Sequence, residues 1–278
     1  MYGRPYSYYG RRTGGGGCGG RLIFALLLAG VSLFSYFSSR QDNPVTGETQ
    51  YIDITPEQEI ALGLQAAPEI SAEFGGEDAN QADQAVVDQI GNSIVQGSPA
   101  SQTPYEYEFH LLGDPQTVNA FALPGGQVFV TRAIFDRMNT EGMLAGVLSH
   151  EIGHVVARHS AEQIAKAKLT EGLTGAAVIA TYDPNNPASA GSAQVAMLIG
   201  QLINLKYGRD DELEADALGV CFMNETGYDP NDMIKVMQVL ASLDQGGRQP
   251  EWFSTHPNPE SRITRIQQAI QNIANCPE

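Results

Sequence analysis

Met143-Leu144-Ala145-Gly146-Val147-Leu148-Ser149-His150-Glu151-Ile152-Gly153-His154-Val155-Val156 is apolar almost throughout and carries its polar groups close together. Leu144, Ala145, Val147, Leu148, Ile152 and Val155 leave little room for a wet face, so the segment is expected as a helix buried on most sides. An α-helix advances about 100° per residue, which puts His150 and His154 on the same side, one turn apart. Two imidazoles placed in that way can share one metal ion. Glu151 stands beside the first of them, positioned to take a proton from a water at the metal as that water attacks a carbonyl. Polar groups on a buried helix need partners, and Gly153 between them lets another backbone approach, at a cost in helix propensity. The H-E-x-x-H pattern in this setting points to metal-dependent peptide-bond hydrolysis, against the plainer alternative of a surface helix with two incidental histidines.

A tetrahedral zinc site of this kind needs a third protein ligand and keeps a fourth place open. The best source is Gly208-Arg209-Asp210-Asp211-Glu212-Leu213-Glu214-Ala215-Asp216-Ala217-Leu218-Gly219. Glu212 and Asp216 lie four apart on one helix face, and the small Ala215 and Gly219 follow the same stripe, so this helix can close on the first. In this arrangement Glu212 would ligate the metal and Asp216 would accept a hydrogen bond from a ligand histidine. Periodicity alone does not choose Glu212 over Glu214, and acidic residues favour helix N-termini in any case. His159 is five residues past His154. On a helix running on through Arg158 and His159 it falls about 140° round the axis, a poor ligand and a plain surface or capping histidine. The longer H-E-x-x-H-x-x-G-x-x-H pattern is excluded because Ala157 and Ser160 occupy its glycine and histidine places.

Elsewhere the chain alternates helical and strand signals. Thr55-Pro56-Glu57-Gln58 reads as a capped helix start, opening a helix to about Glu73 that is broken or kinked near Pro68. A second helix is expected over Ala82 to Val95. Tyr105, Tyr107 and Phe109 alternate with Glu106, Glu108 and His110, which marks a strand with one wet face. Two further strands flank the turn Pro124-Gly125-Gly126. The first of them, through Asn119, Ala120, Phe121 and Ala122, is either part of an ordinary small sheet or an edge to which a substrate segment adds as another strand. Thr131 to Met138 is expected as a short helix, Leu173 to Thr181 and Ala193 to Leu205 as buried helices, and Asn258 to Ala274 as an amphipathic closing helix.

The 278 residues carry a net charge of -16, unevenly distributed. Arg4, Arg11, Arg12, Arg21 and Arg40 precede the first acidic residue, Asp42, and leave a strongly acidic body that argues against nucleic acid as a partner. Residues 1–20 are rich in Gly, Tyr and Arg and lack the apolar surface for a core. Residues 21–38 follow as a transmembrane anchor or signal segment. The uncharged run Leu22 to Phe37 is short against the usual span of about twenty residues, and no convincing cleavage site follows it. The arginines before it and the acids after it place the N-terminus in the cytoplasm and the rest outside. Residues 39–55, with Asn43-Pro44-Val45-Thr46-Gly47, read as a linker, and residues 56–278 as one domain. In an oxidising compartment Cys221 and Cys276 either form a disulfide or remain two buried thiols.

His150 to His154 together with Glu212-x-x-Ala215-Asp216-x-x-Gly219 resembles the zinc metallopeptidase family of CAAX prenyl protease type 1 and HtpX, especially its single-anchor or periplasmic BepA- and YggG-like branch. The resemblance extends to Asn43–Gly47, Glu59-Ile60-Ala61-Leu62-Gly63, Asn119 to Gly126, and Thr255-His256-Pro257 before Arg262-Ile263, and so covers nearly all of residues 43–270. It implies an α+β, mainly helical fold of the gluzincin type with a small β-sheet along the active-site cleft. It also implies Glu212 as third ligand, one Zn2+ per chain, and Arg209 at the family's basic position, with Gly208 where serine is more usual. His256 matches a histidine that in some relatives faces the metal; it would fill the fourth position, stabilise an oxyanion, or be a loop histidine without a part. The expected activity is that of a membrane-anchored, extracytoplasmic zinc endopeptidase in protein quality control, acting on unfolded or misassembled chains. The alternative is an envelope chaperone or assembly factor that keeps zinc for structure, and a self-inhibited protease is a third reading. The ligand types would also accept cobalt or manganese.

Overall fold

The computed structural model describes residues 18–181, 207–243, 250–256 and 261–276. Its centre is the helix expected from the histidine pattern, α5 (Glu141–Val156), capped by the Thr140 hydroxyl accepting from the Met143 amide and buried at every residue from Met143 to Val156. Around it lie α2 (Pro56–Glu73), α3 (Gln81–Gln96), α4 (Arg132–Phe135), α6 (His159–Thr181), α7 (Arg209–Glu225), α8 (Asn231–Leu243), α9 (Trp252–Thr255) and α10 (Arg262–Gln271). A helix α1 (Cys18–Ser38) precedes them and packs chiefly on α6. A three-stranded sheet lies beside α5, with β3 (Glu108–Leu112) parallel to the central β5 (Gln127–Thr131) and β4 (Ala120–Ala122) antiparallel to it on the other edge. This is the mainly helical α+β architecture with a small sheet that the sequence implies. The strand expected from Tyr105 begins three residues later, although Tyr105 and Phe109 are buried as the alternation requires.

Local chemistry accounts for most boundaries. Thr55 and Gln58 form the reciprocal capping box that opens α2, with Pro56 in the first position where its missing N–H costs nothing. Pro68 lies inside that helix without ending it, so the break that was one of the two expectations does not occur. The carbonyl it leaves free belongs to Leu64, which is exposed, so water can satisfy it. The segment read as a linker is instead a small hairpin of β1 (Arg40–Asp42) and β2 (Thr49–Tyr51). Its turn caps the far end of α5: Asn43 Nδ2 donates to the Val156 carbonyl at 2.8 Å and Gln50 to that of Ala157. The α2 segment with Glu59 and Gly63 presses on the turn between β4 and β5. A Cβ on Gly63 would lie 2.1 Å from the Pro124 carbonyl oxygen, and Gly125, at φ +84°, leaves no room for one against Ile60. These two quoted stretches therefore meet in space.

Two departures bear on the site. The central helix does not run on through His159: α5 stops at Val156, Arg158 takes φ 56°, and a new helix, α6, starts at His159. A positive φ on a non-glycine residue costs on the order of 1 kcal/mol. Arg158 is held there by the buried Glu59, to which its Nε donates at 2.9 Å, and by the Ile54 carbonyl at 3.2 Å. The second departure concerns residues 21–38. They are helical within α1, with Leu22, Ile23, Phe24, Leu26, Leu27 and Phe34 exposed, but among the described residues no helix is long and apolar enough to cross a membrane. The expected helix Ala193–Leu205 and nearly all of residues 1–20 lie outside the described residues. So does the start of the closing helix, seen as Arg262–Gln271. Cys221 on α7 is bonded to Cys276, which ties the chain end after α10 to α7.

Candidate active site

Close approach of α5 and α7 builds the site. A Cβ on Gly153 would stand 3.0 Å from the Ala215 carbonyl oxygen, and one on Gly219 3.3 Å from the His150 amide nitrogen, so one glycine on each helix admits the other's backbone. The crossing brings His150 and His154 from α5 against Glu212 from α7, and α9 delivers His256 between them. His150, His154, Glu212 and His256 each offer a donor atom, all within 4.8 Å of one another and all buried. Nε2 of His150 and Nε2 of His154 are 3.1 Å apart. His256 Nδ1 is 3.0 Å from Glu212 Oε1 and 3.4 Å from His150 Nε2.

Behind these groups lies a supporting layer. Asp216 Oδ1 is 3.0 Å from His150 Nδ1. Arg262, at the first turn of α10, donates from Nε and Nη2 to the two Asp216 oxygens at 2.8 and 2.7 Å and stands 2.8 Å from Glu212 Oε2 through Nη1. On the other side the Tyr207 ring stacks on His154 at 3.9 Å, its hydroxyl 2.9 Å from Ser160 Oγ. Trp252 stacks on His256 at 4.3 Å, its amide donating to the Val118 carbonyl just before β4. His159 is buried, with Nδ1 2.8 Å from His154 Nδ1.

The charges explain the titration of the cluster. Burial raises the Glu151 carboxyl above its usual range, more than His256 and His150 lower it. Burial also opposes the charge on Glu212, but His256, His154 and Arg262 outweigh it and hold that carboxyl well below the ordinary value. Asp216 is likewise held down, by Arg262 and His150 against its desolvation. Desolvation depresses His154 well below the normal histidine range, whereas His256 is raised because Glu212 and Glu151 outweigh its burial. Among the described residues, Glu151, Glu212 and Asp216 thus face a single guanidinium, and neither Glu151 oxygen has a hydrogen-bond partner. A divalent cation among the four donors would balance that excess, so the residues fit a metal of the zinc type.

The structure brings together His150, Glu151, His154, Glu212, Asp216 and His256. Glu214, the alternative to Glu212, points to His159 instead. Arg209 is exposed at the start of α7 and is not among the four clustered donors. Ala120 to Ala122 form β4, the sheet edge next to α5, with Asn119 just before it and Phe121 the least buried of the four. Arg262 and Tyr207 complete the site although no motif in the sequence marks either for it. A lone arginine at the start of an amphipathic helix carries no local sign that it reaches two carboxylates 46 and 50 residues earlier in the chain.

Comparison with known proteins agrees with this geometry. The model of peptidase family M48 matches residues 81–270, well over half of the chain. The mitochondrial metalloendopeptidase OMA1 of Schizosaccharomyces pombe is 31% identical over 249 residues, 88% of this chain and 71% of that protein. The beta-barrel assembly-enhancing protease of Yersinia pestis is 34% identical over 184 residues, 64% of this chain but 37% of that protein. Metalloprotease YcaL of Escherichia coli is 32% identical over 186 residues, 65% of this chain and 66% of its own length. With a buried metal-ligand cluster on an H-E-x-x-H helix inside the matched region, the chain belongs to peptidase family M48 and is a metalloendopeptidase.

Proposed function

We propose that this chain cleaves unfolded or misassembled proteins with one zinc ion held by His150, His154 and Glu212, at a membrane and outside the cytoplasm. The observation that carries the hydrolytic part is Glu151: fully buried, adjacent in sequence to His150, with two unpartnered carboxylate oxygens. A chaperone or assembly factor that kept zinc for structure would have no use for a buried base there, whereas peptide hydrolysis requires one. Zinc, when bound, would polarise the scissile carbonyl and make a water acidic enough to attack at neutral pH. Glu151 takes the proton of the attacking water and returns it to the leaving amine, a task suited to a carboxyl whose proton affinity burial has raised. Asp216 orients the His150 ring, and Arg262 neutralises Asp216 and Glu212 from behind. β4 (Ala120–Ala122) is an edge strand of the sheet, the kind of place to which an extended substrate adds as a further strand, which favours unfolded segments over particular side chains.

A second reading is favoured by His256. It sits in the donor set, clamped by the Trp252 stack and by the Tyr207 amide donating to the Thr255 carbonyl at 3.1 Å. In this arrangement the protein is a latent enzyme, and α9 withdraws before substrate binds. Location outside the cytoplasm is supported by the Cys221–Cys276 disulfide and by the arginines that precede α1. Membrane association is supported by the exposed apolar surface of α1. The printed names of the relatives, a mitochondrial metalloendopeptidase and a beta-barrel assembly-enhancing protease, are compatible with such a setting. The test is digestion of a reduced, unfolded protein by the full chain. Cleavage that a chelator stops and zinc restores supports the reading, and tight binding without cleavage, in wild type and in His256→Ala alike, favours the chaperone. Removal of residues 1–38 should release the protein from membranes.

A further inference from the structure

His159 is 1% exposed, and both its ring nitrogens are engaged. Its Nδ1 lies 2.8 Å from Nδ1 of His154, and its Nε2 lies 3.2 Å from Glu214 Oε2. We infer that Glu214 and His159 form a two-step hydrogen-bond relay that fixes the tautomer and orientation of His154 for metal binding, an inference that rests on His154 being a ligand. Proton counting allows one consistent arrangement. His154 turns Nε2 toward the other donors, 3.1 Å from His150 Nε2 and 3.5 Å from Glu212 Oε1, so a metal there takes the Nε2 lone pair. The ring proton must then sit on Nδ1, and Nδ1–H must donate. Nδ1 of His159 is the atom it meets, so that atom accepts. His159 therefore carries its own proton on Nε2 and donates it to Glu214, a carboxylate that can only accept when ionised.

The two ligand histidines are thus held by different devices. Asp216 reaches His150 directly, whereas His154 is reached through an interposed imidazole. The break at Arg158, φ 56°, makes the second device possible, because His159 starts a new helix with its ring against His154 instead of continuing round α5. His159 and Glu214 touch no reacting atom in this arrangement and are positioning residues.

Outer hydrogen-bond partners of metal-binding histidines are worth about 10- to 100-fold in metal affinity. The full chain should accordingly bind zinc about 10- to 100-fold more weakly with His159→Phe, measured by competition with a chelator of known affinity. His159→Asn keeps an acceptor for His154 and should recover part of that loss. Glu214→Gln, on a side chain that is 27% exposed, should weaken zinc several-fold in the wild-type background and not at all in the His159→Phe background. Nitrogen-15 spectra of the zinc form should show His154 protonated on Nδ1, with that proton exchanging faster in His159→Phe. Unchanged zinc affinity in folded His159→Phe, or an equal effect of Glu214→Gln in both backgrounds, would overturn the relay. If His159→Phe does not fold, Glu214→Leu, which leaves His159 Nε2–H without an acceptor, decides alone, and wild-type affinity there overturns the relay. His154→Ala separates the two levels: if that variant binds zinc as tightly as wild type, the ligand assignment has failed and not merely its relay.

Discussion

Replacing Arg262 by methionine removes the one guanidinium among the described residues that faces the buried acidic groups of the site, while keeping most of the side-chain volume. Arg262 is 1% exposed and bound to Asp216 through two hydrogen bonds of 2.7 and 2.8 Å, with Glu212 2.8 Å from its third nitrogen. Removing one partner of a buried ion pair costs roughly 3 to 5 kcal/mol, because the remaining charge stays desolvated without compensation. Asp216 loses its only guanidinium partner among the described residues, and Glu212 keeps the zinc, so the expected loss lies within that range. For a chain of this size each kcal/mol lowers the melting temperature by about 2 to 4 °C, so Arg262→Met should melt about 10 °C below wild type. Denaturant titration of the zinc-loaded full chain supplies the free energy. Asp216→Asn should also destabilise, and the double variant should lose less than the two singles together by about 1 to 3 kcal/mol, since the groups act as a pair. A loss under about 1 kcal/mol for Arg262→Met, or strict additivity in the double variant, would refute the reasoning.

Three further outcomes follow from the same structure. Gly63→Ala should cost about 1 to 3 kcal/mol in denaturant titration, because the new methyl would meet the Pro124 carbonyl oxygen at 2.1 Å and backbone must shift. Arg132, bonded to Asp78, holds that carboxyl below its ordinary value of 3.8. A depressed carboxyl contributes stability that is present above 3.8 and lost as pH falls through its folded value, so Arg132→Leu should flatten the acid end of the stability profile while lowering the plateau at neutral pH. Reducing the Cys221–Cys276 bond frees a loop whose ends are 55 residues apart and should remove about 4 kcal/mol in the chain-entropy view, read as a lower denaturation midpoint in the presence of reductant.

The parts of the molecule that were legible in the sequence are those that depend on local periodicity and caps. The Thr55 capping box, the buried α5 and the strand pair about Gly125-Gly126 are each fixed within a few residues, and the structure places them where the pattern does. The four-residue spacing of His150 and His154 on α5 and the Glu212–Asp216 stripe on α7 were legible for the same reason: a helix converts a four-residue interval into a shared face. What failed was long-range or conformational. No glycine or proline announces the break at Arg158; it is held by Glu59, 99 residues earlier, so His159 was assigned to the wrong side of the helix. Arg262 takes its meaning from carboxylates on another helix. The hairpin over residues 40–51 looked like a linker because its strands are three residues each and its purpose, capping α5 through Asn43, lies 113 residues away.

The account stands most directly on Glu151. The measurement is digestion of an unfolded protein by the full chain, wild type against Glu151→Gln, with zinc content matched by metal analysis. The predicted result is cleavage by wild type that disappears in the variant while zinc is retained, since glutamine preserves the size of the side chain but cannot carry the proton. Equal cleavage by both proteins at equal zinc would contradict the central claim.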